Sequence, residues 1–180
     1  MCFVVFLGLI LGERQKLDNN MLDLMAAMSP EVALEKGAEI LNPKLQPLDF
    51  TFSIVEHGKG SGGNFAVGSF KNGDREIRIW FRFEVGGVSY RKGDLERGHV
   101  EFMQFLGLEG KSALPGFGAG DPLAGFRHLL QDLDHCALLL ENDGTAFYYA
   151  MKNYVYKPKP TGFSALSAYE KYRYNPALKR

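Results

Sequence analysis

Cysteine is scarce in this 180-residue chain, occurring only at Cys2 and Cys136. Neither a disulfide framework nor a zinc-ligand spacing can be built from two such residues, and a reducing compartment is the simple expectation. Net charge is absent too, with 21 Lys and Arg against 21 Asp and Glu. Nothing in that balance marks a nucleic-acid binder. No apolar run reaches the ~20 residues that cross a bilayer; the most apolar stretch, Cys2 to Leu11, reads CFVVFLGLIL. Internal repeats and heptad arrays are missing as well. These absences remove disulfide-stapled, membrane-spanning, coiled-coil and solenoid classes.

What is present is apolar bulk. Hydrophobic residues make up 46% of the chain and aromatics 13%, with 14 Phe and 8 Tyr. That suffices for one proper core, and the length suits one domain. The zero net charge hides an asymmetry. Residues 145–180 hold seven Lys or Arg against one Glu, a surplus of six, so the rest of the chain carries an equal acidic surplus. Three segments follow: an apolar extension over 1–20, a domain over 21–156, and a basic, poorly ordered tail over 157–180. The extension lacks the basic flank and small-residue cleavage site of a signal peptide. The expectation is a true start at Met21 or Met28, the competing reading being an atypical signal or an anchoring segment. A chain begun at Met21 is expected to unfold with unchanged cooperativity and thermal midpoint.

Patterning predicts an α+β fold. Met21 to Leu41 reads as a helix around the Ser29-Pro30-Glu31 start signal, stopped by Asn42-Pro43. Leu48 to Val55 and Phe65 to Phe70 read as strands joined by a flexible His57–Gly63 loop. Asn72-Gly73 marks a hairpin. Arg75 to Val85 is the clearest strand: Ile77, Ile79, Phe81, Phe83 and Val85 share one face, and Arg78, Trp80, Arg82 and Glu84 the other. Gly86-Gly87 turns the chain into a fourth strand, Val88 to Arg91. A short helix, His99 to Leu106, is expected to bury Val100, Phe102, Met103 and Leu106. A long one begins at Asp121-Pro122, with Leu123, Phe126, Leu130, Leu133, Ala137 and Leu140 inward. A last helix covers Thr145 to Val155. The architecture expected is an antiparallel meander of about four strands packed on C-terminal helices, with an N-terminal helix.

No catalytic constellation assembles from these elements. The glycine-rich segment 58–63 lacks the spacing of a phosphate loop, and a strand rather than a helix follows it. His128, Asp132 and His135 share one face of the long helix as metal ligands would, but that face is opposite the leucine stripe and no fourth ligand is in view. Cys136 cannot pair with the adjacent His135 and is expected to border the core. Ser61 lacks the Gly-x-Ser-x-Gly elbow. No cofactor, metal or catalytic residue is therefore assigned. The row Arg78, Trp80, Arg82 is the one notable surface, because Trp and Arg dominate protein–protein hot spots. The competing reading packs a C-terminal helix over it, and the two differ in whether Trp80 is exposed.

Several segments share an order with a known group. They are Ser61-Gly62-Gly63-Asn64-Phe65-Ala66-Val67-Gly68-Ser69-Phe70, Asp74-Arg75-Glu76-Ile77 and Phe81 to Tyr90. After these come His99, Phe102, Pro115-Gly116-Phe117, Asp121 to Leu129 and Asp132-Leu133. Over roughly Leu48 to Asn142 this resembles small bacterial proteins classed as immunity proteins of polymorphic toxin systems. The resemblance implies a cytoplasmic, non-enzymatic protein that binds a cognate toxin, and brings no catalytic residue with it. The acidic body would suit a basic toxin. The alternatives are a small hydrolase using the glycine-rich loop and a structural subunit.

Overall fold

The computed structural model describes residues 28–112, 114 and 121–157. The readings of the 1–20 extension, of a start at Met21 and of the tail from Pro158 onward lie outside those residues.

The first helix, α1 (Pro30–Leu45), begins as its sequence dictates. Ser29 Oγ accepts from Val32 N–H, and Pro30 opens the first turn. Ala33, Leu34, Gly37, Ala38, Leu41 and Leu45 are buried at steps of three and four. The expected stop at Asn42-Pro43 fails. Pro43 forfeits one amide donor, but Leu41 and Leu45 are fully buried, and their packing carries the helix through it. A 3₁₀ turn (Gln46–Leu48) then leads into the sheet.

The sheet has five antiparallel strands in sequence order: β1 (Thr51–Gly60), β2 (Gly63–Asn72), β3 (Arg75–Phe81), β4 (Val85–Lys92) and β5 (Leu95–Gly98). The meander is as the alternation predicts, with four corrections. The segment expected as a flexible loop is mostly strand, because Glu56 to Gly60 pair with Gly63 to Val67. β3 ends at Phe81, not Val85. Gly86 and Gly87 lie inside β4 instead of turning the chain. A fifth strand, Leu-Glu-Arg-Gly, was not expected; it is short, has no apolar alternation, and pairs Arg91 with Glu96 and Lys92 with Leu95.

The helices pack on one face of this sheet. α2 (His99–Phe105) buries Phe102 and Met103 as expected, but it also buries His99 and exposes Val100. The long helix expected after Asp121 is broken into α3 (Ala124–Asp132), a 3₁₀ turn (Leu133–His135) and α4 (Ala137–Leu140). Its buried side is shifted accordingly: Phe126, Leu129, Leu133, Cys136, Leu139 and Leu140, with Leu130 half-buried and Ala137 exposed. α5 (Thr145–Lys152) closes the fold with Phe147 and Met151 fully buried.

Between the layers lies one core. Phe81 stacks on Phe126 at 5.9 Å, while Phe102 meets Tyr90 and Phe147 edge-on at 5.3 and 4.9 Å. Two arginines of the sheet cap helix ends, a favourable arrangement for cations at carbonyl termini. Arg75, buried, donates to Leu139 and Leu140 carbonyls, and Arg97 donates to the Met151 carbonyl.

Candidate functional site: the open face of the sheet

Period-two alternation divides β3 between two environments. Ile77, Ile79 and Phe81 enter the core, which places Glu76, Arg78 and Trp80 on the opposite face. Among the described residues no helix packs there. α1 lies over the core face, where a Cβ on Gly68 would meet Phe52 and Leu34. The reading in which a C-terminal helix covers the row is not what these elements show. Trp80 is half-buried, neither enclosed nor fully exposed.

Register assembles this face into cross-strand rows. Lys71, Glu76, Arg91 and Glu96 stand side by side across four strands; Ser69, Arg78 and Ser89 form the next row, then Val67, Trp80 and Gly87. Glu76 is almost fully buried beneath this layer. It accepts from Ser69 Oγ at 2.7 Å and lies 3.3 Å from Arg78, 3.4 Å from Arg91 and 3.7 Å from Lys71. Arg78 Nε makes no hydrogen bond, so its contact with Glu76 is ionic only. The hydrogen bond that Ser89 donates to Glu96, followed by Arg91, holds that carboxyl below its ordinary range. Cross-strand pairs of this kind stabilise a sheet, and here Ser69, Glu76 and Ser89 of these rows are buried.

Toward the β3–β4 turn the face changes character. The Arg78 guanidinium lies 5.9 Å from the Trp80 ring centroid, within cation–π reach. Beside Trp80 a 360 Å³ depression is lined by Phe65, Ala66, Phe81, Arg82 and Gly86. Arg82 reaches toward the Ser61-Gly62 turn: a Cβ at Gly62 would fall 2.2 Å from its guanidinium, and one at Gly60 3.2 Å. The glycine-rich segment therefore makes room for an arginine. Arg78 and Trp80 thus share one face, as the alternation predicts, while Arg82 lies in the turn that follows β3 and lines the same depression as Trp80. Phe65 completes the patch, and so does Phe83, which the sequence pattern assigned to the core and the structure leaves 73% exposed. The reason is that β3 ends at Phe81, so Phe83 lies in the turn closed by Arg82 N–H and the Glu84 carbonyl.

The metal-like trio does not converge. Asp132 is buried, His128 is half-buried with its Nδ1 unbonded, and His135 is exposed in the 3₁₀ turn. Asp132 belongs instead to a buried polar cluster invisible in the sequence. His99 Nδ1 bonds Tyr90 Oη at 2.7 Å, and its Nε2 stands 3.0 Å from Ser112 Oγ and 3.1 Å from Asp132. Ser112 donates to Asp132 at 2.6 Å. Burial opposes the charged form of Asp132, yet the hydrogen bonds from His99 and Ser112 together leave its carboxyl below the ordinary value. Burial pushes the Cys136 thiol up to about 12, which keeps it protonated and unreactive; it lies within the core rather than at its border. The Tyr90 hydroxyl is raised by burial as well. A 410 Å³ pocket beside His99 is lined by Val85, Gly86, Val100, Glu101, Leu114 and Tyr156 among others, and by no residue of the 58–63 turn. His57 sits 3.7 Å from Glu31 of α1.

No protein-family model matches the chain, and no curated protein or solved structure matches it either. Among the described residues no helix is long and apolar enough to cross a membrane.

Proposed function

We propose that this protein is a cytoplasmic binding module that neutralises a cognate bacterial toxin by protein–protein contact, through the sheet face bearing Arg78, Trp80 and Arg82. The observation that carries the reading is the placement of the five helices of the described residues on one side of the sheet, with a half-buried Trp beside two arginines on the other. Such a combination suits a hot spot. The resemblance to toxin-immunity proteins supplies the kind of partner.

The charge of the surface revises the expected chemistry of that partner. The acidic body suggested a basic toxin. The central strands and the residue after β3, however, present Lys71, Arg78, Arg82 and Arg91 against Glu76, with Glu56 and Glu96 on the edge strands. With Glu84 of the same turn the four cations meet four carboxylates, so the face carries no acidic surplus and is not matched to a basic partner by charge. With Trp80 as anchor, binding is largely apolar and persists at high salt.

The test is growth rescue and pulldown with the toxin domain encoded beside the chain. Trp80→Ala is expected to weaken binding by about 2 kcal/mol or more, roughly thirtyfold, and wild-type binding is expected to survive a rise from low to high salt. Absence of binding at every salt concentration, together with absence of rescue, disposes of the reading.

A further inference from the structure

The β3–β4 turn has a geometry that the strand pattern hides. Phe81 and Val85, on either side of it, are both 3% exposed. Phe81 is stacked on Phe126, and Val85 is pressed against α3, where a Cβ on Gly125 would fall 2.8 Å from it. Between these two buried posts, Arg82 N–H donates to the Glu84 carbonyl at 3.2 Å and closes a tight connection. Arg82 and Phe83 are thus held between buried posts while exposed themselves, and Glu84 is half-buried. Phe83 is the most exposed large hydrophobic side chain among the described residues.

An apolar side chain held out on a fixed turn is prepared for insertion, because little conformational entropy remains to be lost on docking. Its surroundings say what it would enter. The 360 Å³ depression beside Trp80 lies on one side; a 210 Å³ depression lined by Met28, Ala33, Phe81, Arg82, Pro122 and Phe83 itself lies on the other. The turn is therefore a ridge between two hollows. The turn carries one arginine and one glutamate. Arg82 is exposed and has no ion pair among the described residues, whereas Arg78 and Arg91 are occupied with Glu76 and Arg91 also with Glu96. Glu84, half-buried, has interactions of its own.

We propose that the Arg82–Glu84 turn inserts into an apolar recess on the protein partner, with Phe83 as the plug and Arg82 meeting carboxylates on the rim. This rests on the toxin-binding reading and adds to it a second anchor beside Trp80 and the chemistry of the surface it enters.

The experiment measures affinity for the same toxin domain by titration calorimetry, with thermal melts of each variant. Phe83→Ala is expected to weaken binding by roughly thirtyfold or more, since a buried aromatic anchor is the residue type that dominates such contacts. Arg82→Glu is expected to weaken it at least about tenfold at low salt, with the deficit narrowing at high salt. Both side chains are exposed, so neither melt should move. Tyr149→Ala is the control, because Tyr149 is 72% exposed on α5, outside this turn; its binding should stay within about twofold of wild type. Wild-type binding with Phe83→Ala equal to the Tyr149→Ala control overturns this inference and leaves the toxin-binding reading intact. Failure of the wild type itself to bind overturns both.

Discussion

Phe126→Ala is expected to cost about 3–5 kcal/mol of folding stability, the range for deleting a fully buried aromatic. Phe126 is completely enclosed. Its ring lies against Phe81 of the sheet on one side. On the other it occupies the space that a side chain at position 37 would need: a Cβ on Gly37 would fall 2.3 Å from the ring. One side chain therefore joins α1, α3 and β3, and its removal leaves a cavity that three elements must collapse to fill. Urea denaturation monitored by circular dichroism measures the loss directly, and a cost below about 1 kcal/mol would show the contact to be slack. The same geometry dictates a coupling. Gly37→Ala alone should destabilise, since the added methyl overlaps the ring, although alanine is the better helix former by about 1 kcal/mol. In the Phe126→Ala background that propensity is free to act, so Gly37→Ala should there be neutral or stabilising. Additivity of the two changes would contradict the contact.

Asp132→Asn is expected to cost about 2–3 kcal/mol at neutral pH, the scale of a hydrogen bond to a charged group together with the partners it leaves unmet. Asp132 serves His99 and Ser112, joining α3 to α2 and to the loop after it, and His99 passes the connection to Tyr90 of β4. Its carboxyl lies below the ordinary value, so the folded state favours the ionised form. The stabilisation is thus fully present above the pKa of the unfolded chain and is lost as pH falls through the lower, folded one. The wild type should lose stability in that acid window while the Asn variant, lacking the group, changes less. The two denaturation midpoints should converge below it. His135 is the other charge acting on Asp132 and favours its ionised form, so a parallel His135→Ala series separates that contribution. A gap that stays constant from neutral to acid pH would mean the carboxylate's charge plays no part.

Period and turn chemistry made much of this molecule legible. The start of α1 was readable because a serine cap and a proline in the first turn are local devices. The order of the first four strands was readable because alternation at Phe50, Phe52 and Ile54, and again at Ile77, Ile79 and Phe81, marks one buried face. Arg78 and Trp80 could be placed together on the other face for the same reason. β5 escaped because four residues paired through Arg91 and Glu96 carry no apolar period. The helix after Asp121 was read as continuous because leucine is spaced almost evenly across the 3₁₀ turn at Leu133–His135.

The sequence by itself determined the class of fold and the alternation that sets Arg78 and Trp80 opposite the core, since each depends on residues a few positions apart whose geometry is set by the backbone period; which face the described helices cover was decided by the tertiary structure. Only the tertiary structure decided the rest. The early end of β3 at Phe81, which leaves Phe83 on the turn, goes with the way Phe81 pairs Val85 of β4. The burial of His99 depends on Asp132, 33 positions away, and the shape of Gly37 is explained by a ring on another helix. Contacts between distant segments leave no local period to read, because the free energy that fixes them comes from packing and hydrogen bonding available only once the chain has closed on itself.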